Sequence, residues 1–180
     1  MANKRFQLAI LVALAAAAVT VTTAVAGGGD QRISERLTGY EEVPVVSTGA
    51  EGKFKAHIER DRIEWELRYE DLEGDVTQAH IHFGQRSVNG GISVWLCGNP
   101  NPPVVVPPPG TQTCPPDPAK ITGVATAAQV VGPAGQGIAP GEFGELVQAI
   151  KAGVAYANVH SSRFPGGEIR GQLDDRKRGR

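Results

Sequence analysis

Strict period-two alternation over residues 53–70 constrains this chain more than any other feature. Phe54, Ala56 and Ile58 alternate with Lys53, Lys55, His57 and Glu59. After a turn at Arg60-Asp61, Ile63, Trp65, Leu67 and Tyr69 alternate with Arg62, Glu64, Glu66, Arg68 and Glu70. Successive strand side chains point to opposite faces, so this spacing builds an antiparallel hairpin with one apolar face and one wet face. The wet-face charges read as opposite in sign across the pair, each pair adding about a few tenths of a kcal/mol to the register.

A lone hairpin is marginal in water, so further strands must cover its apolar face. Residues 76–83 supply one, with Thr77, Ala79, Ile81 and Phe83 on one side and Gln78, His80 and His82 on the other. Others are expected at 92–96, from 120 towards 131, at 154–161 and at 168–173. Turns fall at the Gly74 segment, Asn89-Gly90-Gly91, Gly132-Pro133-Ala134-Gly135 and Phe164-Pro165-Gly166-Gly167. The 23 Gly and 13 Pro make up a fifth of the chain, against a usual share of roughly 12%, which favours short strands over long helices. One helix is expected near residues 142–151, where Phe143, Leu146, Val147 and Ile150 form an i, i+3, i+4, i+7 stripe between Pro140 and Gly153. In the last strand Glu168 and Arg170 share a face and can pair, and Gly171 admits a close neighbour.

The N-terminus has the tripartite form of a secretory signal peptide: Lys4 and Arg5, an apolar run from Phe6, then Ala24-Val25-Ala26. Residues 1–26 are therefore expected to be removed, leaving a single domain at 27–173 and a charged, disordered tail at 174–180. Loss of Lys4 and Arg5 takes the formal net charge from −1 to −3, too acidic for bulk nucleic-acid binding. No later segment is long and apolar enough to span a membrane. The product is expected to be secreted, extracellular or periplasmic.

Export implies an oxidising compartment, so Cys97 and Cys114 read as a disulfide. Nine of the 13 prolines lie between Asn99 and Pro118. Proline fixes φ and removes a backbone donor, so the stretch 97–118 is expected to be an exposed, Pro-rich disulfide loop. Its Val104-Val105-Val106 tip is a possible contact surface for a partner.

No P-loop, dinucleotide fingerprint, nucleophile elbow or H-E-x-x-H motif occurs, and the chain reads as non-catalytic. The one constellation with a chemical case is His80-Ile81-His82. Alternate strand residues point the same way about 6.5–7 Å apart, so two imidazoles can converge on one ion. His160, on another expected strand with Tyr156 and Asn158 at the same parity, would complete a three-histidine site suited to copper or zinc. The alternative is a polar cluster in which His80 and His82 bond the neighbouring backbone or Asn158. Both histidines of the pair are expected to face outward at an accessible place, and His57 is expected at the surface beside Lys53 and Lys55.

Several segments together resemble the CHRD (chordin-type) domain of bacterial secreted proteins. They are Leu37-Thr38-Gly39-Tyr40-Glu41-Glu42-Val43-Pro44, Ala79-His80-Ile81-His82, residues 153–160 (GVAYANVH) and residues 164–173 (FPGGEIRGQL). The resemblance runs from about Ile33 to Leu173, with the proline loop as an insertion. The H-x-H strand, the later V-H and the Gly-Gly turn are also similar, more distantly, to copper/zinc superoxide dismutase, which would make His80, His82 and His160 copper ligands. The expected fold is all-β: an antiparallel Greek-key β-sandwich of about seven to eight strands with one short helix. The expected function is an exported binding module for an extracellular protein or ligand, or else a copper-binding protein.

Overall fold

The computed structural model describes residues 31–101 and 103–174; the expected leader and the tail beyond residue 174 lie outside them. Eight strands run in chain order: β1 (Gln31–Thr38), β2 (Glu51–Ile58), β3 (Ile63–Glu70), β4 (Val76–Phe83), β5 (Gly91–Gly98), β6 (Ala119–Ala125), β7 (Ala155–Ser161) and β8 (Ile169–Leu173). They form one antiparallel sheet in the order β5-β4-β7-β8-β1-β2-β3-β6, with one α-helix, α1 (Phe143–Lys151), among the described residues. β7 returns to lie beside β4, and β6 beside β3, the Greek-key pattern of long return connections.

The hairpin forms as its alternation dictates. Ile58 pairs with Ile63, and the full register runs to Glu51 opposite Glu70. Phe54, Ala56, Ile58, Ile63, Trp65, Leu67 and Tyr69 are all buried. One continuous core takes side chains from all eight strands and from Phe143, Leu146, Ala149 and Ile150 of α1. Val147, expected in the buried stripe, is only half-buried at its edge.

The charge pattern on the wet face needs correction. Lys55 lies opposite Glu66 and His57 opposite Glu64, but Lys53 faces Arg68 and Glu51 faces Glu70. Cations gather around Glu66 from its own strand and from both neighbours. Glu66 gathers Lys120 at 2.9 Å, Arg68 at 3.0 Å and Lys55 at 3.6 Å. Lys120 and Arg68 together hold its carboxyl down at about 2.

β1 is an additional strand that the alternation did not announce. Ile33 and Leu37 are buried, but Glu35 lies between them in the same inward row, and a carboxylate there breaks the apolar pattern. β1 meets β8 through Thr38 and Arg170. A Cβ on Gly171 would come within 2.5 Å of the Arg36 carbonyl oxygen, so only glycine lets these strands approach so closely.

The sheet rolls until its two edge strands nearly meet, and the proline loop fills the remaining gap. Cys97 and Cys114 are disulfide-bonded. Gln112 Nε2 donates to Leu96 O of β5 at 3.0 Å and to Thr122 O of β6 at 3.2 Å. Gly98 N donates to Gln112 O at 2.9 Å. Tyr69 Oη donates to Pro115 O at 2.6 Å. Asn99 closes the base of the loop: its side chain donates to Val76 O and Cys114 O and accepts from Cys114 N at 3.0 Å.

Candidate metal centre

His80 and His82 come from the middle of β4, and His160 from β7, which pairs with β4. The β4–β5 register shifts between Ala79 and His80 and again between Ile81 and His82. Such bulges re-aim side chains locally. Ala79 and Ile81 enter the core, while the histidines project from the other face of the sheet.

That face is not open, which corrects the expectation of accessible histidines. His80, His82 and His160 are 1%, 8% and 6% exposed. Their cover comes from distant parts of the chain. Trp95 of β5 meets His80 edge-on at 4.3 Å between ring centroids. Tyr156 stacks on His82 at 4.7 Å, nearly parallel, and its own ring lies 3.4 Å from the Arg170 guanidinium carbon. The turns carrying Gly90 and Pro165 bring backbone carbonyls to the rings.

The three rings converge. Centroids lie 5.0 Å (His80–His160), 5.2 Å (His80–His82) and 6.3 Å (His82–His160) apart. One nitrogen from each can be chosen so that all three lie within 4.8 Å of one another. His80 Nδ1 is 3.2 Å from His160 Nε2. Two ligands bonded at about 2.0–2.1 Å to one tetrahedral ion sit roughly 3.3–3.4 Å apart, so the spacing already matches that of a shared ion.

The hydrogen bonds also set the tautomers. His82 Nδ1 is 2.9 Å from Gly90 O, and His160 Nδ1 is 3.0 Å from Pro165 O. A carbonyl only accepts, so both Nδ1 atoms carry the proton and both Nε2 atoms present lone pairs. Metal-ligating histidines are commonly fixed by an outer N–H to a carbonyl in this way. His82 Nε2 is buried with no hydrogen-bond partner. An unmet buried polar group costs about 1–3 kcal/mol, and an ion is one of the explanations to test for it.

Burial keeps the imidazoles neutral. It pushes His82 and His160 down to about 4, and His80 well below the ordinary value, with the neighbouring rings adding to the effect on His80. Neutral rings are the form a metal requires.

Around the histidines lies a buried polar frame that sequence reading identified only in part. Asn158, expected beside His80 or His82, has its Oδ1 3.2 Å from His160 Nε2. Glu42, inside the opening motif segment, had no role assigned there, and Arg170 was expected only to pair with Glu168. Arg170 is buried and donates to Gln85 O at 3.1 Å, Val88 O at 3.0 Å and Asn89 Oδ1 at 3.3 Å. Glu42 is also buried, and burial outweighs the Arg170 charge to raise its carboxyl to about 7. A Cβ on Gly167 would fall 2.5 Å from a Glu42 carboxylate oxygen. Glu168 does not pair with Arg170; it accepts from Glu73 N at 2.8 Å and Thr48 Oγ1 at 2.9 Å.

The fourth histidine is elsewhere. His57 is half-buried and groups with Glu59 and Glu64. Two open clefts, of about 740 and 690 Å³, are lined instead by residues of β1, β2, β3 and β6 such as Ser34, Lys55, Glu66 and Lys120. No helix among the described residues is long and apolar enough to cross a membrane.

No curated protein and no solved structure matches the chain. The family model of the CHRD domain matches residues 33–173, which takes in all three histidines, Glu42, Asn158 and Arg170. The chain belongs to the CHRD domain family.

Proposed function

We propose that this CHRD protein is an exported binding module whose ligand is a single copper or zinc ion, held by His80, His82 and His160. The observation that carries the reading is the pair of carbonyl-anchored rings. His82 and His160 are fixed through Nδ1, one nitrogen from each of the three rings lies within 4.8 Å of the others, and His82 Nε2 is buried without a hydrogen-bond partner. Imidazole nitrogen suits copper and zinc, whereas calcium and magnesium prefer oxygen donors. The disulfide and the CHRD domain fit an extracellular protein.

Titration of the metal-stripped protein with Cu(II) and with Zn(II), followed by calorimetry and metal analysis after desalting, tests the reading. One equivalent of at least one ion should remain bound. The His80→Ala/His82→Ala double variant should retain none while keeping its thermal transition. No stoichiometric uptake, or uptake unchanged in the variant, sinks the proposal.

A second, protein-contacting role is favoured by the tip of the disulfide loop. Val104 and Val106 are 69% and 64% exposed, while Val105 between them is buried and anchors the turn. Crosslinking through Val104→Cys in the secreted fraction, against a Glu145→Cys control, should recover a specific adduct if the tip is a contact. Equal labelling at both positions argues against it.

A further inference from the structure

Resting on the metal-centre reading, we infer that the three-histidine site is built for monovalent copper, so that the physiological ion is Cu(I) rather than Cu(II) or Zn(II).

The inference follows from charge. The donor set within 4.8 Å contains three imidazoles and no carboxylate or thiolate. With Nδ1–H of His82 and His160 committed to carbonyls, both rings act as neutral ligands. Any ion there keeps its whole formal charge on the three-ligand unit. That unit is inside the protein, with ligands at most 8% exposed. The electrostatic cost of taking an ion from water scales with the square of its charge, so a divalent ion pays roughly four times what a monovalent one does.

Divalent sites offset this cost with carboxylates or with retained water. Two buried carboxylates lie on the surrounding framework, and neither joins the donor set. Glu42 interacts electrostatically with the Arg170 charge and does not belong to the histidine donor set. Glu168 is held by Glu73 N and Thr48 Oγ1. Arg170 also stands over Tyr156, which stacks on His82, and so places a fixed positive charge behind one ligand. The apolar flank contributed by Trp95 against His80 adds no compensating polarity. Cu(I) accepts three-coordination by neutral nitrogen without a further anion, whereas Cu(II) and Zn(II) seek a fourth ligand.

The experiment is an anaerobic competition titration of the full exported chain. It uses Cu(I) supplied as its acetonitrile complex against a chromophoric Cu(I) chelator. Cu(II) and Zn(II) are titrated in parallel against chelators of known affinity, and Trp95 fluorescence serves as a second readout. The expected result is one equivalent of Cu(I), held at least about tenfold more tightly than Cu(II). For a one-electron couple, tenfold raises the copper potential by about 59 mV above that of the aqueous couple, which voltammetry of the loaded protein measures independently. Asn158→Asp puts a carboxylate 3.2 Å from His160 Nε2 without removing a ligand, and should reduce the Cu(I)-over-Cu(II) preference. Tighter binding of Cu(II) or Zn(II) overturns this inference and leaves the metal centre standing. An unchanged preference in Asn158→Asp also overturns the charge argument. Failure to take up any of the three ions overturns both readings together.

Discussion

Lowering the pH from 7 to 5 should destabilise the metal-free protein through its buried histidines, and Glu42 should partly conceal the effect. His82 and His160 ordinarily titrate near 6.5 but are held at about 4 in the fold. Between those values the unfolded chain binds a proton that the folded chain refuses, so stability falls as pH falls. Each pH unit in that window costs about 1.4 kcal/mol per group. At pH 5 the loss is about 2 kcal/mol for each histidine, or about 4 kcal/mol for the two. His80 shifts in the same direction. Glu42 has the opposite sign: raised to about 7 from 4.5, it binds its proton first in the folded state. It therefore returns about 2 kcal/mol over the same range. Urea denaturation in the presence of EDTA at pH 7 and pH 5 reads the balance. The wild type should lose about 2 kcal/mol or more, and Glu42→Gln, which lacks the offset, about 4 kcal/mol. His82→Gln should show a shallower pH dependence than the wild type. If Glu42→Gln and the wild type respond identically, Glu42 is not the buried acid described, and the reasoning fails. A flat wild-type profile would mean the histidines are solvated.

Three further outcomes can be checked. Gly171→Ala drives a methyl group against the Arg36 carbonyl, where backbone must move, and should cost about 1–3 kcal/mol or more in chemical denaturation; an unchanged midpoint refutes the close approach of β1 and β8. Cys97→Ser/Cys114→Ser should lower stability by up to about 3 kcal/mol on loop-closure grounds, and hydrogen exchange should rise first at Leu96–Gly98 and around Thr122, where Gln112 bridges the edges. Lys120→Met should raise the Glu66 carboxyl pKa measured by NMR from about 2 towards its ordinary value, and by more than Arg68→Met does, because the Lys120 hydrogen bond is the larger influence; a larger effect from Arg68 would reverse that order.

Legibility in the sequence followed the range over which each signal acts. The β2–β3 hairpin and α1 were readable because the residues that bury their faces lie within one element, at fixed period. β1 was not, because Glu35 occupies its inward row and burial there depends on neighbours far along the chain. The three histidines could be grouped from strand parity, since β4 and β7 pair as antiparallel neighbours. Their burial could not, because Trp95, Gly90 and Pro165 reach them from other strands and turns. Cross-strand charge was misread for a similar reason: alternation fixes the face, but the pairing of Lys53 with Arg68 depends on register and turn length. Glu42 and Arg170 sat in view within the motif segments, yet nothing local shows that two ends of the chain meet.

The bridging amide of Gln112 has a consequence for behaviour between molecules. An unclosed sheet exposes two rows of unpaired carbonyls and amides, each a template on which another chain could add a strand. Here the pinned insertion occupies part of both rows at once: Leu96 and Thr122 are engaged by one side chain, and Gly98 by the same residue's carbonyl. A segment that resembles decoration thus acts as a guard against fibrous growth, and trimming it back to a short turn would trade a tidy surface for a sticky one.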